Sequence, residues 1–292
     1  MKFTVLYRGP LRICNFHCDY CPFVSEFLDS DNIPHIQQDK EYLKDFVKWI
    51  ESQPLNDDDS ISLFFAPAGE ILIFEHYIQA IDRLKNLRGV DEIVIQTNCS
   101  FKLEIIEKFT PKLKLWITFH PEKMELSEFI EKLTFFDEKG VQYSVGMVGT
   151  KEHLPIIQQL RQQLNPNVYL WVNAMKSSSH YYSEDDISQI LEIDPYFRYE
   201  LDSICMRGKL CNTGYSVFLI DSGKIRRCIL DKTILGTIEE HNLKDFTRPL
   251  PCMYNSECNC YISYSHNGQT AIDKNFSSGK LARIPYGFKY TS

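Results

Sequence analysis

The chain has 292 residues, 43% hydrophobic and 24% charged, with a formal net charge of −7 at pH 7. This length and apolar fraction build one large core, or one core plus an appendage, and exclude wholesale disorder. The acidic balance gives no electrostatic footprint for nucleic acid, and no stretch approaches the roughly 18 to 20 apolar residues of a membrane helix, so neither partner is expected.

Apolar runs of β type stand at 3–7, 61–66, 92–97, 114–119, 142–148 and 168–174. Between them lie stretches with helical spacing. These are Tyr42, Leu43, Phe46, Val47 and Ile50; Phe74, Tyr77, Ile78, Ile81 and Leu84; Leu126, Phe129, Ile130, Leu133 and Phe136; and Leu154, Ile157, Leu160 and Leu164. Ser183 before Asp185 and Asp186 marks the acidic start of a further helix, ending before Pro195. Six strand-then-helix units predict an α/β fold with a parallel sheet under covering helices. Periodicity alone leaves open whether that sheet is flat or curls into an incomplete barrel. In both geometries ligand chemistry belongs on loops at the carboxyl ends of the strands. After Pro195 the segments shorten, and 216–220 and 224–228 flank Asp221-Ser222-Gly223, a hairpin turn. The last thirty residues are polar and read as a tail or a wrapping arm. The expected division is a core at 1–198, a small cysteine-rich unit at 199–262 and a tail at 263–292.

Ten cysteines occupy positions 14, 18, 21, 99, 205, 211, 228, 252, 258 and 260. Nine fall into two groups, and Cys99 stands apart. The first residues have no secretion signal pattern, so the cytoplasm is the expected compartment, where grouped thiols read as metal ligands or redox groups. Cys14-Asn15-Phe16-His17-Cys18-Asp19-Tyr20-Cys21 has the spacing C-x3-C-x2-C directly after the first strand. Structural zinc wants four ligands, so one reading is a zinc knuckle completed by His17 or a distant residue. The other is an iron–sulfur cube, which normally takes four cysteines; held by three, it keeps one iron open for a substrate or cofactor.

This spacing, with Tyr20 before the last cysteine, resembles the signature of the radical S-adenosylmethionine (AdoMet) superfamily. The resemblance implies a partial (β/α)6 TIM-like barrel with a catalytic [4Fe–4S] cluster on Cys14, Cys18 and Cys21. It implies AdoMet chelated at the open iron, an electron donor such as flavodoxin or ferredoxin, and cleavage to methionine and a 5′-deoxyadenosyl radical that takes hydrogen from a substrate carbon. Tyr20 then belongs to the cofactor shell. Ala66-Pro67-Ala68-Gly69-Glu70 is similar to the family's Gly-Gly-Glu, with Ala68 for the first glycine, and implies that Gly69 and Glu70 receive the methionine ammonium. Thr97-Asn98-Cys99 resembles the family's Thr-Asn-Gly. That sets Asn98 at the cofactor and Cys99 in the glycine position, its thiol either a hydrogen donor or buried and inert. Strand four ends Thr118-Phe119-His120, with Thr118 a pocket candidate and His120 either a catalytic candidate or a loop histidine. Val145 to Glu152 is similar to G-x-I-x-G-x-x-E, which implies Met147 on the adenine and Gly149 at the turn. On strand six, Asn173 and Trp171 are candidates for adenine contact, with core packing the plainer reading of Trp171.

The second group runs Cys205-x5-Cys211-x16-Cys228, then Cys252-x5-Cys258-x-Cys260. It resembles the opening of the SPASM extension of that superfamily, or its shorter relative, twitch. Six thiols are too few for two four-thiolate clusters, so the expectation is one auxiliary cluster. Its ligands would be Cys211, Cys228 and two of Cys252, Cys258 and Cys260, with Cys205 in reserve. A four-thiolate zinc site would staple the unit equally well. The segments Leu6-Tyr7-Arg8-Gly9-Pro10-Leu11 and Cys258-Asn259-Cys260 look like those of a short bacterial branch of the superfamily. A peptide or protein is the expected substrate, with oxidation or rearrangement of a small molecule as the alternative. The rival from another class is a non-catalytic zinc-binding scaffold.

Overall fold

The computed structural model describes residues 1–108, 112–175, 181–201, 204–231, 233–255, 257–258 and 271–291. Six strands carry the frame: β1 (Lys2–Tyr7), β2 (Ser60–Phe65), β3 (Val90–Thr97), β4 (Leu113–Thr118), β5 (Gln142–Gly149) and β6 (Leu170–Ala174). Each pairs with the next in parallel. Among the described residues β6 has only β5 as a neighbour, so the sheet curls without closing, a partial (β/α)6 barrel.

Both faces of these strands are buried, as crossover connections require. Alternate residues such as Phe3, Val5, Ile93, Ile95, Val145 and Met147 pack outward under α1 (Ile33–Glu51), α2 (Glu75–Lys85), α3 (Leu126–Glu138) and α4 (Leu154–Gln163). The other parity, Leu6, Phe64, Val94, Trp116 and Trp171, forms a second cluster on the concave side. Helix α1 starts well before its apolar stripe because the Asn32 side chain caps it, accepting from the His35 N–H at 3.1 Å, and Pro34 suits its first turn. The crossover from β3 to β4 departs from the strand-then-helix pattern: among the described residues its helical part is a six-residue 3-10 segment, Leu103–Lys108. Helix α5 (Glu184–Leu191) opens on a Ser183–Asp186 capping box.

Beyond α6 (Arg198–Leu201) come the short strands β7 (Ile204–Cys205) and β8 (Leu210–Cys211), then β9 (Val217–Asp221). Strand β9 docks parallel to β1 on its open side. It continues through β10 (Lys224–Arg226) and β11 (Ile234–Thr237), so the core sheet carries nine strands among the described residues. The expected hairpin turn is present. Ser222 (φ 49°) and Gly223 (φ 75°) are its two central residues, the left-handed pair that a tight hairpin needs.

Strands β12 (Leu250–Pro251) and β13 (Glu257–Cys258) pair with β8 and β7. Helix α7 (Ala271–Phe276) leads the last segment back into the concave side. There Phe276, Leu281 and Ala282 join the inner cluster, and Ser144 donates to the Ala282 carbonyl at 2.5 Å. The Arg283 guanidinium lies 4.4 Å from the ring centres of both Trp116 and Trp171 and pairs with Glu200 at 3.1 Å. The wrapping arm is thus a plug in the barrel. No described helix is long and apolar enough to cross a membrane.

Candidate cofactor site

The carboxyl ends of the strands surround a cavity of about 510 Å³. Its lining includes Cys14, Cys18 and Cys21 from the loop after β1, and Ala68, Gly69 and Glu70 from the loop after β2. Asn98, Thr118, His120 and Asn173 close it from β3, β4 and β6. A volume of this order suits a small-molecule cofactor.

Gly69 decides how the first two loops meet. A Cβ there would stand 1.9 Å from the Ile13 carbonyl oxygen, which also accepts the Glu70 N–H at 3.1 Å. Glycine at 69 therefore lets the cysteine loop lie directly on the Glu70 loop.

Glu70 is buried and accepts three hydrogen bonds: from Leu72 N–H (3.0 Å), Thr97 Oγ1 (2.9 Å) and Asn98 N–H (2.7 Å). Burial raises its pKa while those donors hold it down. A carboxylate offers about four acceptor sites, so three donors leave one open. Asn98 in turn donates to Asn15 Oδ1 (3.1 Å) and reaches Cys14 Sγ at 3.7 Å, tying β3 to the cysteine loop.

Burial also pushes the Cys14 thiol up to about 12, with the nearby Cys18 and Cys21 adding to the effect. As placed, no three His, Cys, Asp or Glu side chains among the described residues converge tightly enough to hold a metal ion. The donor set itself suits a soft metal. Three thiols face one cavity, and no disulfide joins any described cysteines.

Beside Cys18, His120 Nδ1 lies 3.4 Å from the sulfur and 2.9 Å from Tyr20 Oη. Tyr20 donates to Glu122 at 2.9 Å, and His153 binds the other Glu122 oxygen at 2.6 Å. Burial lowers the His120 pKa to about 4. Sequence reasoning missed Glu122 and His153; the His120-Pro121-Glu122 run after β4 was the available signal. It also missed Arg8, which reaches the Ala66 carbonyl (2.7 Å) and stacks 4.6 Å from the Phe23 ring at the cavity wall.

Three expected residues lie elsewhere. Met147 is buried in the outer apolar layer, and its neighbour Val148 lines the cavity instead. Cys99 is also in that outer layer and fully buried, its thiol pushed up to about 12 by burial; it is not part of the cavity wall. Its φ of 63° explains why a glycine suits the position. Gly149 is not in the wall either. It gives room to Val172, 2.6 Å from where its Cβ would stand, and its carbonyl accepts the Tyr182 hydroxyl, which also takes the Met175 N–H. Trp171 lines the cavity and occupies the space left by Gly146, whose added Cβ would fall 1.9 Å from the ring.

Just after β10, Arg227 is almost fully buried. It donates to the carbonyls of Leu250 (2.9 Å), Pro251 (2.5 Å) and Thr213 (3.3 Å) and pairs with Asp231 at 3.1 Å. Around that staple stand three of the expected thiols. Cys228 accepts the Asp231 N–H at 3.1 Å, and Cys211 accepts from Thr213 Oγ1 at 3.3 Å, on the residue whose carbonyl Arg227 holds; Cys252 donates its N–H to the Lys209 carbonyl, beside β8. On the other ladder Cys205 faces Glu257 and Cys258 faces Ile204, so these two side chains leave on opposite faces. Cys260 lies outside the described residues.

No family model and no curated protein sequence matches the chain. Solved structures do. Native anSMEcpe with bound AdoMet aligns with a TM-score of 0.53 at 17% identity, over 83% of this chain and 80% of that one. A hexahistidine-tagged form with AdoMet gives 0.54 at 18%, over 83% and 76%. The form with AdoMet and Kp18Cys peptide gives 0.55 at 17%, over 84% and 80%. The chain therefore has the fold of anSMEcpe.

Proposed function

We propose that the chain is a radical AdoMet enzyme, with Cys14, Cys18 and Cys21 holding a [4Fe–4S] cluster whose fourth iron binds AdoMet. The observation that carries this is the coincidence of three thiols and a buried, acceptor-rich Glu70 on one cavity at the strand ends. A zinc scaffold needs no such cradle.

Held by Cys14, Cys18 and Cys21, such a cluster would supply the one electron that reductive cleavage of AdoMet needs. The chain's own residues orient and shield. Glu70 has one open acceptor site for the methionine ammonium, a buried cation that needs a paired anion. Asn98 holds the cysteine loop against β3. Thr118 and Asn173 offer polar groups along the wall, and Val148 and Trp171 offer apolar surface for an adenine ring. The electron donor we infer is a flavodoxin or ferredoxin, and the compartment is the cytoplasm.

Cys211, Cys228 and Cys252 are the proposed core of one twitch-like auxiliary iron–sulfur site, with Cys258 or Cys260 as the fourth ligand. The grouping of the first three around Arg227 supports that choice. For substrate we infer a peptide or protein side chain; the similarity to anSMEcpe with bound Kp18Cys peptide supports it.

Anaerobic reconstitution with iron and sulfide tests the assignment. The expected product is brown, with broad absorbance near that of [4Fe–4S] proteins and iron and acid-labile sulfide in equal amounts. A colourless protein that retains zinc against iron contradicts it. Candidate peptides should then accelerate AdoMet consumption; acceleration by a small alcohol or amine alone would contradict the peptide substrate.

A further inference from the structure

Four side chains, His153, Glu122, Tyr20 and His120, make a hydrogen-bond network that reaches the sulfur of Cys18. The ring nitrogens of His153 lie against the Val148 carbonyl (3.0 Å) and one Glu122 oxygen (2.6 Å). The other Glu122 oxygen takes the Tyr20 hydroxyl proton at 2.9 Å. A phenol has a single proton, so the Tyr20 oxygen is left to accept from His120 Nδ1. That fixes the His120 tautomer as Nδ1–H, and the same N–H stands 3.4 Å from Cys18 Sγ. The ring is held in place, stacked on Tyr20 (centres 5.8 Å apart, 9° between planes) and edge-on to Phe16 (5.9 Å, 83°).

We propose that His120 tunes the iron–sulfur cluster: its Nδ1–H, shared between Tyr20 Oη and Cys18 Sγ, donates to the Cys18 thiolate and raises the cluster's reduction potential. This rests on the radical AdoMet reading of the cysteine loop. Reduction adds negative charge to the cluster and its sulfurs, and a hydrogen bond to an anionic acceptor strengthens as that charge grows. Outer residues that orient and polarise metal ligands act in this way. With its proton on Nδ1, His120 keeps Nε2 as an acceptor in a residue of the cavity wall.

The test compares wild type, His120→Phe and His120→Gln after anaerobic reconstitution, by iron content and by redox titration followed by electron paramagnetic resonance. Phenylalanine keeps the stack on Tyr20 without an N–H; glutamine restores a donor. The expected result is equal iron in all three. The His120→Phe midpoint is lower by about a tenfold change in the one-electron equilibrium, or 59 mV, and His120→Gln recovers part of it. Should His120→Phe fail to fold, His120→Leu provides the same comparison. Equal midpoints at equal iron overturn the proposal and leave the cluster in place. A wild type that takes up zinc and no cluster overturns the reading beneath it, and the proposal with it.

Discussion

Replacing Gly69 with alanine puts a methyl group 1.9 Å from the Ile13 carbonyl oxygen and 2.7 Å from its carbon. Ordinary contact begins at 3.4 Å, so the cysteine loop and the Glu70 loop must part by about 1.5 Å. Neither obstacle is a flexible side chain; both are backbone. The same movement breaks the bond from Glu70 N–H to Ile13 O at 3.1 Å. Overpacking of this kind costs about 1–3 kcal/mol, and a buried amide left without a partner about 1–3 more. Gly69→Ala should therefore lose roughly 2–6 kcal/mol, read as a lower urea midpoint at unchanged slope, and take up less iron on reconstitution. Gly140 is the control. Its φ is +67° and nothing lies within 4 Å of an added Cβ, so alanine there meets only the conformational cost of about 1–2 kcal/mol. A Gly69→Ala midpoint equal to wild type would refute the close docking of the two loops.

Cys99→Gly relieves a left-handed backbone at φ 63° and removes a small buried side chain. The two effects offset, so stability should stay within about 1 kcal/mol of wild type. AdoMet cleavage should continue, whereas its loss at unchanged stability would contradict the reading of Cys99 as a buried packing residue. Arg283→Ala breaks a buried pair with Glu200 and empties the space between two of the chain's three tryptophans. It should cost about 3–5 kcal/mol and change tryptophan emission; unchanged emission and midpoint would show that the arm does not plug the barrel. Cys228→Ser should lose the iron of one cluster, while Cys205→Ser, whose side chain is exposed and leaves its ladder opposite to Cys258, should keep it. Iron loss in Cys205→Ser instead would place Cys205 among the ligands.

Much of the site was legible because strand ends converge in this fold: Cys14, Cys18, Cys21, Glu70, Asn98, Thr118, His120 and Asn173 come from the ends of five strands to one cavity. Met147 was not, for a reason built into parallel sheets. Beyond Gln142 both faces of β5 are largely buried, and Met147 and Val148 are equally apolar neighbours, so a one-residue shift in parity exchanges one for the other. Arg227 and Arg283 were equally hidden. An arginine in a polar stretch reads as solvated; their burial depends on carbonyls, a carboxylate and tryptophans distant in sequence. The docking of β9 on β1 is a pairing across some two hundred residues, for which local sequence carries no mark.

The central claim is that Cys14, Cys18 and Cys21 hold an open cluster able to cleave AdoMet. The direct measurement is 5′-deoxyadenosine, by chromatography and mass spectrometry, after anaerobic incubation of reconstituted protein with AdoMet and dithionite. Wild type should form it, and Cys18→Ala should form none. No 5′-deoxyadenosine from iron-loaded wild type, or full formation by Cys18→Ala, would contradict the claim.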